Sequence, residues 1–176
     1  MTEEYLDIVK DDDEAIGRAL RSAVHRDGLQ HRGAHVFLFN QTGEMLIQKR
    51  SADRANSPSL LDCSVSEHVQ AGESYLEAAR RGLREELGLE NIELKPLGKI
   101  QMEYGPNDNE ISVIYEGRVE PARVRFDRGE ISEVMYIGLD EIRKKIGNEN
   151  GMFCGWFVEL MNWRFGLPAR LKESPL

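Results

Sequence analysis

The sequence contains few cysteines, no long apolar run and no excess of positive charge. Two cysteines among 176 residues, without framework spacing, argue against a disulfide-stabilised scaffold and favour a reducing compartment. No apolar stretch reaches the roughly 18 residues that a membrane span needs, and residues 1–5 have no apolar signal core. The sequence therefore predicts a cytoplasmic protein that does not span a membrane.

The net charge of −8 argues against a nucleic-acid polymer as the main partner, because phosphate backbones require a basic surface. A small anionic substrate can still bind through a metal ion and a few local arginines. The chain is long enough to bury a substantial core, and its composition has no break. We therefore expect one domain over residues 1–176, with an N-terminal hairpin at about 4–20 and C-terminal helices at about 139–165.

Residues 72–89 have the pattern of an amphipathic helix that ends in paired carboxylates. Ser74 and Glu77 form a capping box, and Gly88 suits a left-handed helix end, so the helix should span residues 75–87. On the helical wheel Glu85 points outward and Glu86 borders the core. Adjacent carboxylates favour a divalent metal that also holds a diphosphate. The alternative is an ordinary solvated face with i,i+4 charge pairs.

The segment 67–89 resembles the Nudix box, G-x5-E-x7-R-E-U-x-E-E-x-G-U with U aliphatic. The matching residues are Glu73, Arg81, Leu83, Glu85, Glu86, Gly88 and Leu89. This resemblance implies an α/β fold, a Nudix-like α/β/α sandwich with a mixed central sheet. The Nudix helix should cover one side of the sheet and the C-terminal helices the other.

Two residues depart from the Nudix pattern. Glu67 takes the place of the opening glycine, and Gly82 takes the place of the glutamate after the arginine. In many hydrolases of that family the missing glutamate ligates metal or activates water. Glycine also costs roughly 1 kcal/mol relative to alanine inside a helix, and a local rule broken at a functional position indicates altered function. If the missing carboxylate limits hydrolysis, Gly82→Glu should raise the rate.

Residues 25–32 and the following hairpin, 34–39 and 44–49, resemble the branch that includes type I isopentenyl diphosphate isomerases and related hydrolases. The resemblance implies a second, His-rich metal site, for which imidazole and carboxylate ligands would suit zinc, manganese or iron. Trp156 matches an aromatic that covers the carbocation of the isomerase, although a core role fits it equally. The positions that match the isomerase metal ligands are His25, His31, His68, Asp108 and Glu110.

The cysteine that the isomerase requires aligns with Ser66, and a hydroxyl is a poor proton donor and acceptor compared with a thiol. Residues 61–66 read as one extended segment, in which positions three apart point to opposite faces. We therefore expect Cys63 to lie in the core rather than to replace the missing thiol. His35, on a probable strand, is interpreted as an ordinary satisfied histidine.

The leading hypothesis is a magnesium-dependent Nudix-type hydrolase that cleaves a diphosphate linkage in a nucleotide or related small molecule, with manganese as the alternative ion. One alternative is an isopentenyl diphosphate isomerase, which Ser66 disfavours; another is a catalytically weak diphosphate-binding protein, which Gly82 motivates. A helix over residues 151–163 is apolar nearly all round, which implies burial or a homodimer contact. The resemblance implies catalytic roles for Glu85, Glu86 and Glu110; substrate-binding roles for Arg50, Arg54, Arg81 and Trp156; and metal-binding roles for Glu85, Glu86, Glu110, His25, His31 and His68.

Overall fold

Strands and helices alternate along the chain in the computed structural model, which describes residues 3–105, 107–148 and 151–176, the side chain of Tyr104 excepted. No helix within these ranges has the length and apolar character needed to cross a bilayer. The elements are β1 (Tyr5–Val9), β2 (Ala15–Leu20), α1 (Arg21–Asp27), β3 (His31–Phe39), β4 (Met45–Arg50), β5 (Leu61–Asp62), β6 (Val65–His68), α2 (Tyr75–Leu87), β7 (Lys95–Gly105), β8 (Asp108–Arg118), β9 (Ile131–Ile137), α3 (Leu139–Asn148), α4 (Gly155–Arg164) and β10 (Leu171–Ser174).

Strand β3 is the centre of an eight-stranded mixed sheet. The main strand order is β10-β7-β8-β3-β4-β5, while β6 pairs with β3 and β9 pairs with β4. Strand β3 runs parallel to β8 and antiparallel to β4 and β6. The register sets His31 beside Glu110 and Gly33 beside His68, so the strand pairing brings distant polar residues of the sequence to one end of β3.

The sheet has one helical layer on each side, which confirms the predicted α/β fold. Alternation along β3 directs its side chains to two cores, because successive residues in a strand point to opposite faces. Ala34, Val36 and Leu38 join the core that includes Ala79, Leu83 and Leu87 of α2. Phe37 and Phe39 join the core that includes Phe157, Leu160 and Met161 of α4. These contacts bury α4 within its own chain, and the homodimer stays a prediction.

Helix α2 spans the predicted residues. Ser74 accepts a hydrogen bond from the backbone of Glu77, the Glu77 side chain accepts one from the backbone of Ser74, and Gly88 ends the helix with a φ of 63°. Both ends of the helix are therefore determined by local sequence. The C-terminal helix predicted over 151–163 begins later, at Gly155, because Phe153 forms a bridge with Leu61.

The hairpin of β1 and β2 is attached to the rest of the fold through Asp13. Arg32 and Lys99 each place a nitrogen 2.5 Å from a carboxylate oxygen of Asp13, and the Tyr75 hydroxyl donates to that carboxylate at 3.0 Å. Burial by itself would raise the pKa of Asp13, but the hydrogen bonds from Lys99 and Arg32 hold it below its ordinary value. Asp13, in the turn that joins β1 and β2, is thus one point at which the hairpin is attached.

We expect Asp13→Asn to lower the free energy of unfolding by about 1.5–3 kcal/mol at pH 7, the size of a hydrogen bond to a charged group. Because the folded pKa of Asp13 lies below the unfolded one, its contribution is complete above the unfolded value of about 3.9. The contribution is lost as the pH falls through the folded pKa. Urea unfolding from pH 7 to pH 3 should therefore show the two proteins converging; a constant difference would contradict the assignment.

Candidate functional site

A cavity of about 270 Å³ lies where α1, β6, α2, β8 and the start of α4 meet. Its lining includes almost every residue that the sequence analysis selected. The exception is His31, which is fully buried behind the cavity wall. The selected residues that line it are His25, Arg50, Arg54, His68, Arg81, Glu85, Glu86, Asp108, Glu110 and Trp156.

Three histidines meet at one end of the cavity. The ring centroids of His25, His31 and His68 are 5.0–5.1 Å apart, and one nitrogen of each lies within 4.8 Å of the others. His25 Nε2 is 3.2 Å from His68 Nε2, while His25 Nδ1 is 3.4 Å from Asp108 Oδ1. The chain thus gathers residues from α1, β3 and β6 that are far apart in the sequence.

The proton of His31 can be assigned from its surroundings. His31 Nδ1 lies 3.0 Å from the carbonyl oxygen of Leu29, which can only accept a hydrogen bond, so Nδ1 carries the proton. In the neutral imidazole the buried Nε2 then presents a lone pair, and it has no hydrogen-bond partner among the described residues. It faces Glu110 Oε2 at 3.7 Å and Asp108 Oδ1 at 3.9 Å. A lone pair buried among carboxylate oxygens and imidazoles is a donor set that fits a divalent cation.

A second group of carboxylates, on α2 and β6, also lines the cavity. Glu86 is 5% exposed, and Gln48 Nε2 donates to Glu86 Oε2 at 3.0 Å. Burial raises the pKa of Glu86 well above its ordinary value, and the adjacent Glu67 raises it further. Glu85 lies at the rim with about half of its side chain exposed. Glu86 thus points inward and Glu85 points outward, as the helical wheel predicted.

Arg81 ties the carboxylate group to β6. It donates to Glu67 Oε2 at 2.9 Å, to Glu73 Oε1 at 3.0 Å and to the carbonyl of His68 at 2.8 Å. The Arg81 guanidinium is thus directed at protein acceptors, and it orders the acids that lie around it.

Arg50 and Trp156 form one wall of the cavity around a buried aspartate. Arg50 Nη1 lies 3.3 Å from Asp62 Oδ2, and Trp156 Nε1 donates to Asp62 Oδ1 at 2.9 Å. The Arg50 guanidinium also lies over the Trp156 ring, 5.4 Å from its centroid. Arg54 remains near the rim, where it pairs with Glu130 at 2.5 Å. The sequence analysis selected both arginines but did not anticipate Asp62, which is fully buried.

His35 has a larger part in the site than the sequence indicated. Its Nδ1 is 2.8 Å from Ser66 Oγ, and its Nε2 is 3.3 Å from Glu110 Oε1. Gly33 makes room for this arrangement, because a Cβ there would overlap the Glu110 carboxyl group. The available signal was the strand period of two, which puts His31, Gly33 and His35 on one face.

Cys63 lies in the core as predicted, and burial raises its thiol pKa well above the ordinary value. The reason given from the sequence was wrong, since Cys63 Sγ lies 3.4 Å from Ser66 Oγ. Strand β5 ends at Asp62 and β6 begins at Val65, so residues 63 and 66 do not belong to one continuous strand.

Known proteins are similar to this chain in sequence and in fold. A sequence profile of the NUDIX domain matches residues 29–156, which confirms the resemblance of the helix and its surroundings. An uncharacterized Nudix hydrolase of Clostridium acetobutylicum is 32% identical over 169 residues, covering 90% of this chain and 82% of that protein. Isopentenyl-diphosphate Delta-isomerase 2 of Photorhabdus laumondii is 29% identical over 163 residues, covering 91% and 92%.

The crystal structure of DR0079 from Deinococcus radiodurans superposes with a TM-score of 0.77 at 29% identity, covering 91% of this chain and 98% of that one. Hydrolases and isomerases both occur among the named relatives. The names of the relatives therefore do not decide between the two activities for this chain, and the side chains in the cavity are the remaining evidence.

Proposed function

Because this chain belongs to the Nudix family, we propose that it is a divalent-metal-dependent hydrolase that cleaves a diphosphate linkage in a nucleotide or related small molecule. Its family membership and its hydrolase relatives make it an enzyme of the hydrolase type. What is proposed beyond this is the dependence on a divalent metal, the diphosphate linkage as the bond that is cleaved, and a nucleotide or related small molecule as the substrate.

Buried Glu86 is the observation that carries the proposal. Its hydrogen-bond donor Gln48 is neutral, and the carboxylate of Glu67 lies beside it. In their ionised form these carboxylates would repel a diphosphate unless a cation bridged the two sets of oxygens. Hard cations such as magnesium bind in that way, through one or two carboxylates and the phosphate oxygens of the substrate.

We assign Glu85, Glu86 and Glu110 to the magnesium site, with manganese as the alternative ion. When bound, such an ion polarises a phosphoryl oxygen and lowers the pKa of bound water. The second, His-rich centre would use His25, His31 and His68, for which the unpartnered His31 Nε2 is the supporting observation.

The protein side chains position these groups and the substrate. His35 and the Ser112 hydroxyl both contact Glu110 and so fix the direction of its carboxylate. Arg50, backed by Asp62 and Trp156, presents a fixed guanidinium at the wall, and guanidinium geometry suits phosphate oxygens. Arg54 at the rim is the second cation that we assign to the phosphates, and Arg81 is a positioning residue.

Isomerisation of isopentenyl diphosphate is the second candidate, favoured by the gathered histidines and by Trp156 on the cavity wall. The chemistry of residue 66 argues against it. Ser66 lines the cavity with a hydroxyl held by His35. The nearby Cys63 thiol is fully buried and donates to the Val65 carbonyl at 3.1 Å, so it is not presented to a substrate.

The proposal predicts metal-dependent release of phosphate or a nucleoside monophosphate. The purified protein would be incubated with Mg²⁺ or Mn²⁺ and a mixture of nucleoside di- and triphosphates plus isopentenyl diphosphate, and products would be identified by mass-resolved chromatography. Addition of EDTA should abolish release. Formation of dimethylallyl diphosphate would instead establish the isomerase, and tight nucleotide binding without turnover would establish a binding protein.

A further inference from the structure

The helix α2 passes close to strand β6 at Gly82. A Cβ atom on residue 82 would lie 2.6 Å from Glu67 Cγ and would also overlap Val65 Cγ1. Real Cβ atoms do not approach other atoms that closely, so no side chain fits at position 82 in this packing. The aliphatic stem of Glu67 fills the space beside the helix that a side chain on residue 82 would enter.

The carboxylate of Glu67 reaches the same group of acids. It accepts the hydrogen bond from Arg81 Nη1 at 2.9 Å, and the same nitrogen lies 3.6 Å from Glu85 Oε2. Glu67 also lines the cavity beside Glu85 and Glu86. Carboxylate oxygens from β6 and from α2 therefore line one cavity, which is the kind of oxygen-rich group that a hard divalent cation binds.

We propose that Glu67 supplies from β6 the third carboxylate of the metal-binding group, in place of the one that Gly82 cannot carry on α2. The glycine and the glutamate of the Nudix box have thus exchanged places between two touching elements. This inference rests on the proposed function and names a further metal ligand for it. Under this assignment the chain has a complete set of acids, and Gly82 no longer indicates a weakened catalyst.

The direct test is the affinity of the full-length, metal-free protein for Mn²⁺, measured without substrate by the electron paramagnetic resonance of the free ion. Glu67→Gln is expected to weaken binding by more than the roughly tenfold that the loss of an outer-shell partner of a metal ligand costs. The same titration in a His25→Gln, His68→Gln background measures the carboxylate group without the His-rich centre.

Glu73→Gln is the matched control, because Glu73 accepts hydrogen bonds from Arg81 as Glu67 does but does not line the cavity. If Glu67 ligates metal, Glu73→Gln should weaken Mn²⁺ binding far less than Glu67→Gln does. Equal losses in the two variants would show that Glu67 acts only through Arg81 and would overturn the inference. Wild-type affinity in Glu67→Gln would also overturn it.

The metal titration also separates this inference from the proposed function. A wild-type protein that hydrolyses diphosphates, with a Glu67→Gln variant that binds Mn²⁺ and turns over normally, would retain the function and remove Glu67 from the site. A wild-type protein without hydrolase activity, with a variant that loses Mn²⁺, would remove the function and retain the metal ligand.

Discussion

Glu86→Gln is expected to lower metal-dependent hydrolysis on the order of 10²-fold or more, because it removes a buried anionic ligand from the reacting centre. Glutamine keeps the shape of the side chain, so the core beside it should be undisturbed. Because burial raises the pKa of Glu86, its charge is costly in the metal-free protein. The free energy of unfolding without metal should therefore be unchanged or higher in the variant.

Steady-state kinetics measures the predicted loss of hydrolysis, and urea unfolding of the same preparations measures the predicted free energy of unfolding. Glu85→Gln is the matched control, since Glu85 is the neighbouring acid with about half of its side chain exposed at the rim. The loss of hydrolytic activity in Glu85→Gln should be smaller than the loss in Glu86→Gln. Turnover at the wild-type rate in Glu86→Gln would refute the assignment of the metal group.

Arg50→Met is expected to lower the free energy of unfolding by about 3 kcal/mol, the usual cost of removing one partner from a buried ion pair. Asp62 is fully buried. It would keep the hydrogen bonds from the Cys63 backbone and Trp156, but it would lose the guanidinium that balances its charge. Urea denaturation at neutral pH measures the effect.

Arg54→Met provides the comparison for Arg50→Met. Arg54 pairs with Glu130, and both side chains remain partly exposed, so the loss should stay below about 1 kcal/mol. A similar loss of stability in the two variants would contradict the buried pair of Arg50 and Asp62. Both variants should also weaken substrate binding if the two arginines contact phosphate.

The parts of the fold that depend on neighbouring residues were predictable from the sequence. Helix α2 has its capping box, its left-handed glycine and its apolar stripe within about 16 residues of chain, so its ends and its buried face were both predicted. The directions of Glu85 and Glu86 followed from the same helical geometry. The meeting of His25, His31 and His68 was predicted only through the family resemblance, because no local pattern connects α1, β3 and β6.

What the sequence analysis missed depends on the register between strands. The contact of His35 with Ser66 arises because these residues are paired across β3 and β6. The same pairing brings Glu67 under α2, where it contacts the helix at Gly82. The expectation that Gly82→Glu raises hydrolysis is therefore reversed: the new side chain would collide with β6, and we expect lower activity and stability.

Hydrolysis of a nucleoside diphosphate mixture in ¹⁸O-labelled water with Mg²⁺ tests the central claim most directly. Mass analysis should find one ¹⁸O atom on a released phosphate or monophosphate, and none without the metal. That result would establish metal-dependent attack of water on a diphosphate linkage. Intact diphosphates after prolonged incubation with either Mg²⁺ or Mn²⁺ would contradict it.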